Sequence, residues 1–246
     1  MKLVLLGTCG YHPTDHRETL CLLLPECGVM LDAGTGLYRA VAYLAANELD
    51  IFLTHAHLDH VVGLTYLYSI LRRRPLSRIT LHAESSKLQA VEEHLFAQPL
   101  FPLPPPFERR PLEEVCAIGR GGQVRHFPLQ HPGGAVGYRL DWPTCSLAYV
   151  TDTVAELDAP YVAAIQGVDL LVHECHFPDE QAELAEKTGH SYTSLVAQVA
   201  LQAKVKRLLL LHFNPLAPAE DPIGLQAARR IFPNTDLATD YLEVEF

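Results

Sequence analysis

The chain has 246 residues, 48% of them hydrophobic and 20% charged, which is too apolar for a disordered segment and shows no compositional repeat. Its 29 acidic residues outnumber the 19 basic ones, for a formal charge of −10. That balance argues against a general nucleic-acid binder, because sequence-independent affinity comes from Lys and Arg neutralising phosphates.

Short Leu- and β-branched-rich runs read as strands at Lys2 to Leu6, Leu20 to Leu24 and Val29 to Leu31, the last ending in Asp32-Ala33-Gly34. A helix pattern from Leu37 to Ala46 follows, then a strand Ile51 to Leu53, a His/Asp cluster, and an apolar helix pattern Val61 to Leu71. Ile79 to Leu81 reads as strand and Glu84 to Ala97 as helix. A second batch of strands covers Val124 to Leu129, Ala135 to Leu140 and Ser146 to Val150, with a short helix near Pro160 to Ile165 and a strand Leu170 to His173. Helices at Asp179 to Lys187 and Tyr192 to Ala203, a strand Arg207 to Leu211, a helix Ile223 to Ile231 and an edge strand Tyr241 to Phe246 complete the pattern. Two batches of strands, each finished by helices, predict an α/β fold: a four-layer αββα sandwich forming a single domain over residues 1–246.

Pro99 to Pro111 holds six of the 18 prolines, so it is expected to be neither helix nor central strand. With Leu100, Phe101, Leu103 and Phe107 interleaved, residues 99–111 read as a surface connector, or as a lid or dimer contact. Six scattered cysteines without a Cys-x-x-Cys pair read as reduced thiols. The amino-terminal apolar run breaks at Gly7-Thr8, too short for a secretory signal, and no run reaches transmembrane length. A cytoplasmic protein with no membrane partner is expected.

Thr54-His55-Ala56-His57-Leu58-Asp59-His60 places four ligand-type side chains within six residues, between a strand and a helix. His55 and His57 alternate to one side while Asp59 and His60 swing round on the turn, a pattern that suits two neighbouring metal ions. Imidazole and carboxylate donors without thiolate favour Zn²⁺, with Mn²⁺ or Fe²⁺ as alternatives.

The segment His55-Ala56-His57-Leu58-Asp59-His60 resembles the His-x-His-x-Asp-His signature of the metallo-β-lactamase fold superfamily. The resemblance implies further ligands, each standing at an expected strand end: His131 in Gln130-His131-Pro132-Gly133-Gly134, Asp152 in Val150-Thr151-Asp152, and His212 in Leu211-His212-Phe213. The implied ligand set is therefore His55, His57 and His131 for one metal, and Asp59, His60 and His212 for the second, with Asp152 bridging. Two divalent metals, a bridging hydroxide and hydrolysis are what this arrangement implies. The di-iron redox branch of the superfamily fits poorly, since it carries a carboxylate where His57 stands and a flavodoxin-like domain is missing. His173-Glu174-Cys175-His176 is one residue short of a zincin His-Glu-x-x-His, which excludes a protease on that motif.

Three more features resemble the ribonuclease Z branch: the opening Leu6-Gly7-Thr8-Cys9-Gly10-Tyr11-His12-Pro13-Thr14 with Arg17, the His173-Glu174-Cys175-His176-Phe177 segment, and Gly189-His190-Ser191. Cys175 and His176 depart from that branch's pattern. The resemblance implies His190 as general acid or phosphate donor, Glu174 as its partner and Asp59 as a catalytic metal ligand. Only 20 residues separate His131 from Asp152, and 20 separate Asp152 from His173, leaving no room for the long tRNA-gripping arm of bacterial ribonuclease Z. Without that arm, and with a charge of −10, the expected substrate is a small or cyclic phosphodiester and tRNA is disfavoured. A ribonuclease Z-type tRNA 3′-processing endonuclease is the alternative, and a non-catalytic metal-binding protein a second one; a homodimer is allowed by the proline-rich segment.

Overall fold

The computed structural model describes residues 1–218 and 220–246. In chain order the strands are β1 (Lys2–Gly7), β2 (Cys21–Leu24), β3 (Val29–Leu31), β4 (Glu48–Phe52), β5 (Arg78–Ala83), β6 (Glu108–Pro111) and β7 (Cys116–Ile118), then β8 (Gly122–Leu129), β9 (Ala135–Asp141), β10 (Ser146–Val150), β11 (Leu170–Glu174), β12 (Arg207–Leu211), β13 (Thr235–Leu237) and β14 (Glu243–Glu245). The α-helices are α1 (Leu58–Val61), α2 (Leu67–Arg73), α3 (Ser85–Ala90), α4 (Pro160–Ala164), α5 (Ala182–Thr188), α6 (Thr193–Gln202) and α7 (Leu225–Ile231). Among the described residues no helix is long and apolar enough to cross a membrane. All six cysteines are thiols, four of them buried.

The chain divides into two compact units, residues 1–121 with 240–245, and residues 122–239 with 246. In the first, seven strands lie in the order β14-β1-β2-β3-β4-β5-β6. Pairing is antiparallel from β14 to β3 and parallel from β3 to β6. β2 and β3 are buried on both faces, as continuous apolar runs in a covered sheet must be. The core gathers Leu6, Leu23, Met30 and Ile51 from the sheet with Leu37, Leu64, Leu67 and Ile70 from the helical segments.

The second unit repeats this logic. Its strands run in the order β13-β12-β11-β10-β9-β8, antiparallel from β8 to β10 and parallel from β10 to β13. Ala148, Leu171, Leu208 and Leu210 pack against Val196, Ala197 and Ala200 of α6. The register Val150↔His173 and Glu174↔Leu211 brings the ends of β10, β11 and β12 level. Ligands and reactive groups in parallel sheets collect at such carboxyl ends.

Most expected elements stand within a few residues of their predicted places; three expectations need correction. Residues 35–42 form a 3-10 helix instead of the helix read over 37–46. The helix read over 61–71 is broken into α1, a 3-10 turn Val62–Tyr66 and α2, and the one over 84–97 passes from α3 into a π-helical turn, Val91–Leu95. β6, β7 and β13 are too short to show a period, and β6 falls inside the proline-rich segment as an edge strand, where proline is tolerated. The rest of that segment is anchored by aromatic packing. Phe101 and Phe107 each meet Phe96 edge-on, at 5.3 and 5.5 Å, and Tyr68 donates to the Pro104 carbonyl at 2.6 Å, while Leu100 and Leu103 stay exposed.

Gly63 lets the turn after α1 press onto the end of β3: its N–H donates to the Ala33 carbonyl at 2.8 Å, and a Cβ there would lie 2.1 Å from the Gly34 oxygen. Because two backbone segments would have to part, Gly63→Ala is expected to cost about 1 to 3 kcal/mol and lower Tm by several degrees. Thermal unfolding followed by circular dichroism checks this, and an unchanged Tm would contradict the close approach.

Candidate metal centre

In the first unit the His/Asp cluster begins where β4 runs out and ends in α1. Asp32, just past β3, has φ +55°, a left-handed conformation more accessible to Asp than to most side chains. Its carboxylate is fully buried and accepts three kinds of donor: the Thr54 N–H at 2.8 Å, the Thr54 hydroxyl at 2.9 Å, and His60 Nδ1–H at 2.9 Å. Having given its proton to Asp32, the Thr54 oxygen accepts from His55 Nδ1–H at 3.0 Å. Asp32 thus sets His60 directly and His55 through one hydroxyl. Both rings carry their proton on Nδ1 and present the lone pair of Nε2, the tautomer that a metal ligand needs.

The remaining members of the cluster gather around those two rings. His55 lies 4.4 Å from His57 and 4.2 Å from His60, ring centre to ring centre. Asp59 Oδ2 is 3.5 Å from His60 Nε2 and accepts the Tyr11 N–H at 2.7 Å. Four imidazole or carboxylate donors this close, with nitrogen lone pairs already oriented, are a donor set that fits a borderline divalent cation such as Zn²⁺.

In the second unit, Asp152 follows β10 with φ +52° and His212 follows β12 with φ +59°. Asp152 offers one oxygen to each of two histidines, Oδ2 at 3.5 Å from His131 Nε2 and Oδ1 at 3.3 Å from His212 Nε2. His131 Nδ1–H donates to the Gly189 carbonyl at 2.9 Å, so its Nε2 also presents a lone pair. Burial lowers the His131 pKa against the opposing pull of Asp152, which keeps the ring neutral, as ligation requires. Gly189 closes α5 with φ +79°, and a Cβ there would sit 2.7 Å from Pro132 Cδ and 3.1 Å from His131 Nδ1. Glycine is what lets its carbonyl reach the histidine.

Glu174, the last residue of β11, is fully buried. It accepts from the Thr153 N–H at 2.7 Å, from His190 Nδ1–H at 3.1 Å and from the Ser191 N–H at 3.2 Å. Burial alone would raise its pKa, but the charge and hydrogen bond of His190 outweigh that and hold it below the ordinary carboxylate range. The anion in turn orients His190 with Nδ1 inward, so that Nε2 faces away from Glu174.

Every predicted site residue is therefore placed: His55, His57, Asp59 and His60 in the first unit, and His131, Asp152, Glu174, His190 and His212 in the second. Two residues were missed. Asp32 shows in the sequence only as the start of a turn, though an acidic residue between a buried strand and a glycine is the available signal. His176 stacks on His190 at 4.4 Å with 17° between rings, and its Nδ1–H donates to the His212 carbonyl at 2.8 Å. Burial first, then the neighbouring His212 and His190, push the pKa of His176 down to about 3. Its nitrogen lies within 4.8 Å of ligand nitrogens of His190 and His212.

If Asp32 orients two donor rings, Asp32→Asn should weaken zinc binding by about 10- to 100-fold, the usual cost of losing such a partner. Competition with a chromophoric chelator measures it; wild-type affinity in the variant would remove Asp32 from that role.

The profile of the Beta-lactamase superfamily domain matches residues 28–213. The chain is 48% identical to a ribonuclease Z of Trichodesmium erythraeum, over 307 positions that cover 100% of this chain and 95% of that one. It is 44% identical to a ribonuclease Z of Synechocystis sp., over 311 positions covering 100% and 94%. Both alignments are longer than the 246-residue chain, so these relatives carry insertions that it lacks. Among solved structures, the metallo-beta-lactamase fold protein YhfI from Bacillus subtilis matches with a TM-score of 0.83 at 16% identity, covering 99% of each chain. Human tRNase Z, short form, matches with a TM-score of 0.77 at 22% identity, covering 100% of this chain and 99% of that one. These likenesses show the metallo-β-lactamase fold that the sequence led us to expect. The chain belongs to the beta-lactamase superfamily of that fold, in its ribonuclease Z-like branch, and is a metal-dependent hydrolase.

Proposed function

We propose that the chain is a ribonuclease Z-type endonuclease that hydrolyses a phosphodiester at the 3′ side of a tRNA precursor. The observation that carries this reading is its 48% identity, over its full length, to a relative named ribonuclease Z. It reverses the preference for a small phosphodiester drawn from the sequence alone. The small-phosphodiester reading remains second, favoured by the −10 charge and by the insertions missing from this chain. Its single hydrolase domain would act in the cytoplasm, in keeping with six thiols and no disulfide.

In this reading His55, His57 and His131 would hold one divalent ion and Asp59, His60 and His212 the other, with Asp152 available to both; zinc suits these donors. Bound metal supplies an acidic water and positive charge for the phosphate oxygens. Asp32 and the Gly189 carbonyl hold three of the donor rings in the required tautomer. His190, oriented by Glu174, gives a proton to the departing oxygen through Nε2, and the Glu174 anion stabilises the imidazolium before that transfer. Residues 99–111, with Leu100 and Leu103 exposed, are the candidate contact for a second copy of the chain.

Reconstitution with Zn²⁺ or Mn²⁺ should allow cleavage of a 3′-extended tRNA precursor, chelation should abolish it, and activity should fall steeply with salt. His190→Ala should lower kcat by about 10²- to 10⁴-fold with metal content unchanged. Turnover of bis-p-nitrophenyl phosphate without cleavage of the precursor, at any salt, would favour the second reading; full activity of His190→Ala would take the proton-donor role from that residue.

A further inference from the structure

Seven non-glycine residues have left-handed φ among the described residues. Asp32, Asp152 and His212 belong to the candidate metal centre, and Arg120 and Lys204 are polar turn residues. The other two are tyrosines, for which such a conformation is a genuine outlier. Tyr241, at φ +67°, is accounted for by packing: the Arg39 guanidinium lies 4.3 Å from its ring centre and its N–H donates to the Leu5 carbonyl at 2.7 Å. Tyr11, at φ +62°, is different. Its side chain is 77% exposed, and its ring meets the edge of the exposed His12 at 5.1 Å and 61°.

The strain at Tyr11 is local and specific. His12 N–H donates to the Gly10 carbonyl at 2.8 Å across it, which makes Tyr11 the apex of a three-residue turn with positive φ, a rare and strained form. Glycine would occupy that apex without strain. The Tyr11 N–H is meanwhile tied to Asp59 Oδ2 at 2.7 Å, so the ring stands within one side chain's length of a candidate metal ligand. Strain kept at such a place, for a side chain that buries little, points to what the ring meets from outside.

We propose that Tyr11, with His12 edge-on beside it, is a stacking platform for the nucleobase adjoining the scissile phosphodiester. The assignment rests on the phosphodiesterase reading above. Every base has a π-face, so a platform of this kind is tolerant of sequence. It also lets an acidic chain hold a nucleotide with an affinity that does not come from Lys and Arg. Tyr11 is thus a substrate-binding residue, with its backbone amide fixed by Asp59.

The test uses the metal-loaded full chain and calorimetric titration with adenosine 5′-monophosphate, with ribose 5-phosphate as the base-free control. Tyr11→Ala and Tyr11→Gly should each weaken the nucleotide by about tenfold or more, as loss of one base–aromatic stack does, and leave the control unchanged. Tyr11→Phe should bind like the wild type. Tyr11→Gly should at the same time raise Tm by about 2 to 4 °C, because the strained apex is relieved. Nucleotide binding unaltered in Tyr11→Ala, or lost equally in Tyr11→Phe, would overturn the platform, as would a fall in Tm for Tyr11→Gly, which would make the ring a packing residue. Wild-type cleavage of the 3′-extended precursor or of bis-p-nitrophenyl phosphate separates the two ideas: with neither the phosphodiesterase reading fails, whatever the titrations show, and with either a failed titration counts against Tyr11 alone.

Discussion

A carboxylate taken fully out of water costs several kcal/mol unless donors surround it, and the first unit buries one at Asp32. The need to satisfy that charge dictates much of what lies near it. Thr54, two residues past β4, must turn both its N–H and its hydroxyl to Asp32, and His60 must turn back from α1 to give its Nδ1 proton. His55 then has a hydroxyl oxygen waiting for its own proton. An isolated run of histidines would sample many rotamers and both tautomers; here hydrogen bonds hold His55 and His60 with Nδ1 turned inward.

The second unit solves the same problem with Glu174. Its three donors are backbone N–H groups of Thr153 and Ser191 and the ring of His190, so one anion ties the loop after β10 to the Gly-His-Ser turn before α6. Neither Asp32 nor Glu174 is a candidate ligand, yet each organises the histidines around it. The parallel strands make this possible: β3, β10 and β12 each hand over to a residue in the left-handed region, Asp32, Asp152 and His212, which turns a polar side chain out of an apolar sheet at its carboxyl end. Aspartate and histidine tolerate that conformation better than the Leu and Val residues before them.

What was legible in the sequence follows from this arrangement. The longer strands were plain because buried strands are continuous apolar runs, whereas β6, β7 and β13 are too short to show one, and the candidate ligands were plain because a ligand set must use a few residue types at fixed strand ends. Helix boundaries were less so: Val61 to Leu71 has one apolar pattern, but Gly63 and the turn around it break the backbone into three pieces that a periodicity cannot separate. Asp32 escaped because an orienting carboxylate has no spacing rule, only a partner 28 positions away. His176 escaped because its place beside His190 and His212 comes from packing across a loop. The choice of substrate was swayed by net charge and by a missing insertion, both properties of the whole chain, whereas identity to relatives is carried residue by residue.

The two borders of the first sheet carry a further meaning. β14, Glu243-Val244-Glu245, and β6, Glu108-Arg109-Arg110-Pro111, are its outermost strands, and all but Val244 of these residues are exposed. An open border is a template for any extended chain, and the common defences are charge and proline. Both are used here: carboxylates along one border, guanidinium groups and a residue without an N–H along the other. This sheet is therefore guarded against growing by strand addition, and an association of two chains through its borders has to be built from side chains rather than from shared backbone ladders.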